Sequence, residues 1–266
     1  MATIEEDLRF LITTLQAERN NTRDELATCP VPGTFGEAWE LFRALCNTRM
    51  PKPVSAEFAA KQDKLLHAII SEEGIMYAGL IPPCESDNRI AVWKGDITTL
   101  AADAIVNAAN SQLLGCWVPG HHCIDNAIHT FAGVQLRVEC AAIMRAQGHE
   151  EPTGQAKVTN AYNLPANMII HTVGPIVENG APTDQQKRLL AACYRNCLDA
   201  AAERHCKSIA FCCISTGVFG FPQNEAAHIA VDTVKAWLDA NPEADMHVIF
   251  NVYLDEDERI YREILG

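Results

Sequence analysis

Asp103-Ala104-Ile105-Val106-Asn107-Ala108-Ala109-Asn110 holds an apolar core bounded by an aspartate and two asparagines. Residues 104–106 are apolar and uncharged, as expected for a strand that is buried rather than half-wetted. Asn107 and Asn110 close the run. Asparagine favours turns for local reasons, and its amide also offers donors and acceptors to a hydroxyl-bearing ligand such as a ribose. From the residues alone, the pair reads as turn chemistry as readily as a site.

On either side of this stretch, short apolar runs alternate with helical patterns. Strands are expected at Ile90–Trp93, Ala104–Asn107, Lys157–Tyr162, Met168–Thr172, Ser208–Ile214 and His247–Leu254. Helices are expected over Ile124–Ala146, Gln185–Arg204, Asn224–Ala240 and Asp257–Leu265. The alternation indicates α/β layering on a largely buried sheet. Residues 1–85 read instead as a helical N-terminal extension to a main domain over 86–266. Ile4, Leu8, Leu11 and Leu15 recur on one helical face, and Thr34-Phe35-Gly36-Glu37 is a capping-box pattern. That pattern opens a stripe of Phe35, Ala38, Phe42 and Leu45, and a third helix after Ser55 carries Phe58, Leu65 and Ile69. Each helix has an apolar stripe needing a partner, which favours packing over one face of the main domain, with a part in selecting a substrate as the alternative. Pro82-Pro83 separates the two parts.

The 266 residues are 48% hydrophobic and 21% charged, ordinary for a globular protein with a sizeable core. The net charge of −13, from 34 acidic and 21 basic side chains, argues against a general affinity for nucleic acid, which needs clustered Lys and Arg. No apolar run reaches the ~20 residues that span a membrane, and Glu5, Glu6 and Asp7 are unlike a signal peptide. A cytoplasmic location is expected. Eleven cysteines are scattered rather than framed. Cys193, Cys197, Cys212 and Cys213 lie in apolar patterns and read as core residues rather than disulfide partners.

Several segments at strand ends carry candidate chemistry. Asp96, in Lys94-Gly95-Asp96-Ile97-Thr98, either caps the next turn or accepts a hydrogen bond from an amino group. In Ser215-Thr216-Gly217-Val218-Phe219-Gly220 the glycines allow backbone N–H groups to turn inward as an anion cradle, with Phe219 placed to cover a sugar. In Gly115-Cys116-Trp117-Val118-Pro119-Gly120-His121-His122-Cys123, two thiols and two imidazoles share a short loop with a Pro-Gly turn. Thiolate and imidazole are the ligands zinc prefers. Cys116, Cys123 and one histidine make a three-ligand set, with His122 an adjacent rival to His121. Three ligands from one loop would leave an open position, which suits catalysis better than scaffolding, unless a residue distant in sequence supplies a fourth ligand.

Taken in order, these segments resemble the macrodomain family. The likeness rests on Gly95-Asp96-Ile97-Thr98, Asp103–Asn110, Ile170-His171-Thr172-Val173-Gly174-Pro175 and Ile214–Gly220, and spans roughly Ile90 to Leu254. It implies a three-layer α/β/α sandwich on a mixed sheet that binds ADP-ribose. Asp96, with Ile97 beside it, would read adenine, Asn110 would meet the distal ribose, and Ser215, Thr216, Gly217, Val218, Phe219 and Gly220 would hold the diphosphate.

Ile124-Asp125-Asn126-Ala127-Ile128-His129 further resembles the de-ADP-ribosylating MacroD-type branch, in which the residue matching Asp125 assists water attack. The Cys/His loop replaces that branch's glycine run and is similar to zinc-dependent macrodomains with an N-terminal helical extension, except that Trp117 stands for Phe. That likeness selects Cys116, His121 and Cys123 as Zn2+ ligands. It implies a hydrolase removing mono-ADP-ribose from protein side chains, with Asp125 and Asn110 at the reaction. An ADP-ribose reader without turnover and an O-acetyl-ADP-ribose deacetylase are the alternatives. His129 is read as lying behind the site or as a core histidine facing the sheet.

Overall fold

The apolar run after Asp103 forms an interior strand of a six-stranded mixed sheet in the computed structural model, which describes residues 2–19 and 24–266. The extension supplies helices α1 (Ala2–Ala17), α2 (Glu25–Thr28), α3 (Phe35–Asn47) and α4 (Ala56–Glu73). The strands are β1 (Met76–Tyr77), β2 (Ile90–Lys94), β3 (Leu100–Ala101), β4 (Ala104–Ala109), β5 (Ala156–Asn160), β6 (Met168–Val173), β7 (Ser208–Phe211) and β8 (His247–Val252). Between and after them come α5 (Ile124–Ala132), α6 (Val134–Gln147), α7 (Asp184–Ala202), α8 (Gln223–Ala240) and α9 (Asp255–Leu265).

The main sheet runs β2-β8-β7-β4-β6-β5, parallel throughout except for the antiparallel β5–β6 pair at one edge. Five parallel strands therefore end on one rim, where α/β proteins collect ligands. Register and alternation divide the two faces. Asn107 pairs with His171 and both face α5, whereas Phe211 and Phe250, also paired, face Tyr194 of α7 and Tyr261 of α9. Burial of each such aromatic is worth about 1.5–3 kcal/mol. Helices on both faces make the expected three layers. A small parallel pair, β1–β3, lies apart from the main sheet and was not expected.

The helix expected over 124–146 is two helices, broken at Gly133 (φ 98°). A Cβ there would come within 2.5 Å of the Gln62 Nε2, and Gln62 of α4 accepts from the Val134 amide. Strand ends also retreat: β5 stops before Tyr162, which has φ 53°, and β7 stops at Phe211. In the extension, Thr34 caps α3 as expected, but Glu37 returns to the Thr34 hydroxyl rather than its amide. Phe35 does not join the stripe: it is exposed, at the first position of α3. Ser55 caps α4, in which Phe58 and Leu65 are buried and Ile69 is half-buried.

The extension has its own apolar cluster, including Leu8, Leu11, Phe42, Phe58 and Leu65, which reaches Val134 of α6. Leu66 and Ile70 of α4 instead enter the main core. Burial of stripes on both sides of α4 is what seats the extension against the sandwich.

Candidate functional site

Asp125 lies in the first turn of α5 and is 5% exposed. Its Oδ1 accepts from the Asn107 Nδ2 at 2.8 Å, and its Oδ2 from the Asn110 Nδ2 at 3.3 Å. The second hydrogen of Asn107 Nδ2 points to His171 Nδ1 at 3.1 Å, whose other ring nitrogen meets Thr159 at 2.9 Å. Asn107 thus ties the carboxylate to the sheet face beneath it. Burial pushes the Asp125 carboxyl up to about 6, against the opposing pull of Asn107 and of the Arg137 charge. Burial likewise lowers His171 to about 3 and puts His129 well below its ordinary value, so both rings are neutral.

His129 faces the sheet as a core histidine. Its ring centroid is 6.1 Å from that of His171, and its Nε2 lies 3.6 Å from Asp125 Oδ1 without a hydrogen-bond partner. His129, Cys140 and His171 also bring ligand-type atoms within 4.8 Å of one another. Both ring nitrogens of His171 are already engaged, so this trio is polar core rather than a metal centre.

Residues 115–123 loop out between β4 and α5. Ligand atoms of Cys116, His121 and Cys123 lie within 4.8 Å of one another, with Cys116 Sγ 3.4 Å from His121 Nδ1. Tetrahedral zinc, with bonds of about 2.3 Å to sulfur and 2.0–2.1 Å to nitrogen, would hold S and N about 3.5 Å apart. The donor set and its spacing therefore fit zinc. Burial, with the neighbouring Cys116 thiol adding to it, pushes the Cys123 thiol up to about 12. His122 points elsewhere, to Arg43 Nη1 at 3.3 Å.

Asp96 does cap a turn: its Oδ1 accepts from the Thr98 amide and hydroxyl at 2.8 and 2.7 Å. Its side chain is nevertheless half-exposed on the ligand rim, tied to β8 by Gly95 N–H to Val252 O at 3.1 Å. Ile97 is buried by its side chain, so any contact with a ligand would come from its backbone. Asn110 is engaged locally, donating to Gly115 O at 3.0 Å and accepting from the Gln112 amide.

Ser215 is buried at φ 68°, with its hydroxyl unpartnered. Strain of this kind in a non-glycine residue collects at functional sites. The amides of Gly220 and Phe221 close the loop onto Gly217 and Ser215, while those of Gly217, Val218 and Phe219 have no partner among the described residues. Gly217 and Val218 are exposed, Thr216 and Phe219 half-buried, and the carbonyl of Phe219 accepts from Val177 N–H at 2.7 Å. Three free amides at the end of a parallel strand, with no Lys or Arg in the loop, are suited to an anion.

Two groups of residues at this rim were not anticipated. Tyr253 and Leu254, 73% and 53% exposed, follow β8 beside Gly95. Their exposure is decided by the end of the sheet and leaves no mark in a sequence. Arg137 is buried on α6 and lies 4.4 Å over the Trp117 ring, a basic residue inside an otherwise ordinary helical pattern.

Comparison with known proteins places this rim in a family. A profile of the Macro domain matches residues 106–230. The protein-ADP-ribose hydrolase of Treponema medium is 50% identical over 259 residues, covering 97% of each chain. That of Staphylococcus aureus (strain MRSA252) is 48% identical over 256 residues, covering 96% of this chain and 94% of the relative. The crystal structure of the Trypanosoma brucei macrodomain in complex with ADP-ribose is similar at a TM-score of 0.65 and 31% identity, covering 84% of this chain and 95% of that one. The Oceanobacillus iheyensis macrodomain with ADP gives 0.59 and 41%, covering 65% and 88%. With such identity over nearly its whole length, the chain belongs to the macrodomain family.

Proposed function

We propose that this protein hydrolyses the bond between mono-ADP-ribose and a protein side chain, with zinc held by Cys116, His121 and Cys123 at the distal ribose. The observation that carries the reading is the convergence of Asp125, its two asparagine anchors and the three-ligand loop on one rim of a macrodomain sheet. Relatives of nearly the same length bear the name protein-ADP-ribose hydrolase, which supports it.

The free amides of residues 217–219 bind the diphosphate, and Phe219 covers the adjoining sugar. Asp96 and the exposed Tyr253 receive the adenine. Asn107 and Asn110 hold the Asp125 carboxylate toward the reacting end, where it accepts a hydrogen bond from the attacking water. In the glycosidic case, the water hydroxyl bonds to the anomeric carbon, the carbon–side-chain bond breaks, and the remaining proton goes to the departing side chain. For an ester link, the water hydroxyl bonds to the acyl carbon, the bond from that carbon to the ribose oxygen breaks, and the remaining proton goes to the departing ribose oxygen. Bound zinc would supply Lewis acidity toward the distal ribose oxygens.

The test is release of ADP-ribose from a mono-ADP-ribosylated protein, comparing zinc-loaded with chelator-stripped enzyme. Release that is lost on stripping and restored by zinc is expected. Equal release from both samples would remove zinc from the reaction. Binding of ADP-ribose without release would make the protein a reader, and faster hydrolysis of O-acetyl-ADP-ribose would change the substrate.

A further inference from the structure

The loop from Gly115 to Cys123 contains no helix or strand, and one backbone hydrogen bond, His121 to Val118 at 3.2 Å, closes its Pro-Gly turn. Its conformation is set from outside. Asn47, the last residue of α3 and 1% exposed, accepts from the Gly120 amide at 3.1 Å. Arg43, one turn earlier on α3, meets His122 at 3.3 Å through Nη1, and the same nitrogen pairs with Glu40 at 3.1 Å. Arg137 lies over Trp117 and donates to the carbonyls of Cys46, Asn47 and Arg49 at 3.2, 2.7 and 2.7 Å. Those carbonyls include the orphan acceptors at the end of α3, so a buried cation there is favoured by both hydrogen bonding and the helix dipole. Gly115 touches the same guanidinium: a Cβ on it would come within 2.9 Å of Arg137 Nη2.

The geometry points to a role for the N-terminal extension that its packing does not by itself imply: the C-terminal turn of α3 is the platform that holds the Cys116–Cys123 loop in its ligand-presenting shape. Asn47 and Arg43 act directly, and Arg137 transmits the position of α3 to Trp117. They are positioning residues, since none is among the three ligands. The consequence for metal affinity rests on the zinc reading above. Free of the platform, Gly120 and His122, on either side of the second ligand His121, would both be unanchored.

Asn47→Leu removes the acceptor while keeping the branched heavy-atom skeleton, whereas Asn47→Asp retains it. Two measurements on the full chain separate the platform from the metal. Hydrogen exchange of residues 115–123, followed in metal-free protein, should quicken roughly five- to tenfold in Asn47→Leu, about the worth of one net hydrogen bond. Exchange in α5 and the sheet should stay unchanged, and Asn47→Asp should restore the loop. Zinc affinity, by competition with a chelator, should weaken about 10–100-fold in Asn47→Leu and recover in Asn47→Asp. Should Asn47→Leu not fold, Arg43→Leu tests the same contact surface through His122. Loop exchange equal to that of the wild type would overturn the platform. Wild-type protein that takes up no zinc would sink the metal reading instead, and loop exchange alone would then decide the platform.

Discussion

Asn107 and Asp125 are joined at 2.8 Å across the junction of β4 and α5, so a sheet residue sets the position of a carboxylate on the next helix. The same amide nitrogen reaches His171, so one side chain orders two buried titratable groups. Loss of this amide leaves a buried carboxylate with one donor fewer, at a cost of about 1.5–3 kcal/mol for a bond to a charged group. Asn107→Leu should therefore lower unfolding stability by that order and reduce ADP-ribose release at least tenfold. Denaturant unfolding and single-turnover release check the two effects. Unchanged release would show that Asp125 does not depend on its anchor.

Removing a loop ligand should separate chemistry from folding. Cys123→Ala is expected to abolish zinc binding and release while the metal-free protein unfolds within a few degrees of the metal-free wild type. The apolar clusters lie beneath the sheet faces and in the extension, and neither includes Cys123. Full release from metal-free Cys123→Ala would contradict the proposed role of the loop.

Gly115 has φ 77°, and a Cβ there would fall 2.9 Å from both Arg137 Nη2 and His129 Cγ. Neither neighbour can move freely: Arg137 is held by three carbonyls and His129 is buried in α5. Gly115→Ala should displace the loop by its first residue and lower zinc affinity about tenfold or more, in the range seen when groups behind metal ligands are disturbed. Affinity for ADP-ribose at the 215–220 loop should change little. Competition with a chelator and calorimetry on ADP-ribose give the two numbers.

Stability should fall as the solution is acidified through the imidazole range. His171 is lowered to about 3 in the folded protein, against an ordinary value near 6.5, because it is buried among Asn107, Thr159, His129 and Cys140 with Asp125 nearby. Between those values the unfolded chain binds the proton and the folded chain does not, so stability rises with pH. Its share of the loss between neutral pH and pH 5.5 is about 1.4 kcal/mol. Unfolding free energies measured at pH 7.5 and 5.5 should show a smaller difference for His171→Gln than for the wild type. An equal difference would mean that this ring titrates in the folded state as it does in the unfolded chain.

The sheet was legible because burial leaves a one-dimensional trace. Each of the six expected strands exists with shifted ends, since a run such as Ile105-Val106 is apolar wherever it is placed. The breaks were less legible. Gly133 lies inside a helical pattern, and only its close approach to Gln62 shows why two helices meet there. Phe35 fits a stripe by spacing, yet its place at the first turn of α3 leaves it in solvent.

Spacing within nine loop residues was enough to group the two thiols with the imidazoles, because side chains so close in sequence must also be close in space. The apolar texture likewise determined α/β layering. Tertiary structure decided the rest. It placed the His121 ring beside the two thiols and turned the adjacent His122 to Arg43, and it showed Asn107 rather than Asn110 as the shorter tie to Asp125. It also brought Asn47 to Gly120 across 73 positions of chain. A hydrogen bond between distant residues depends on where two packed elements come to rest, and no local periodicity encodes that distance.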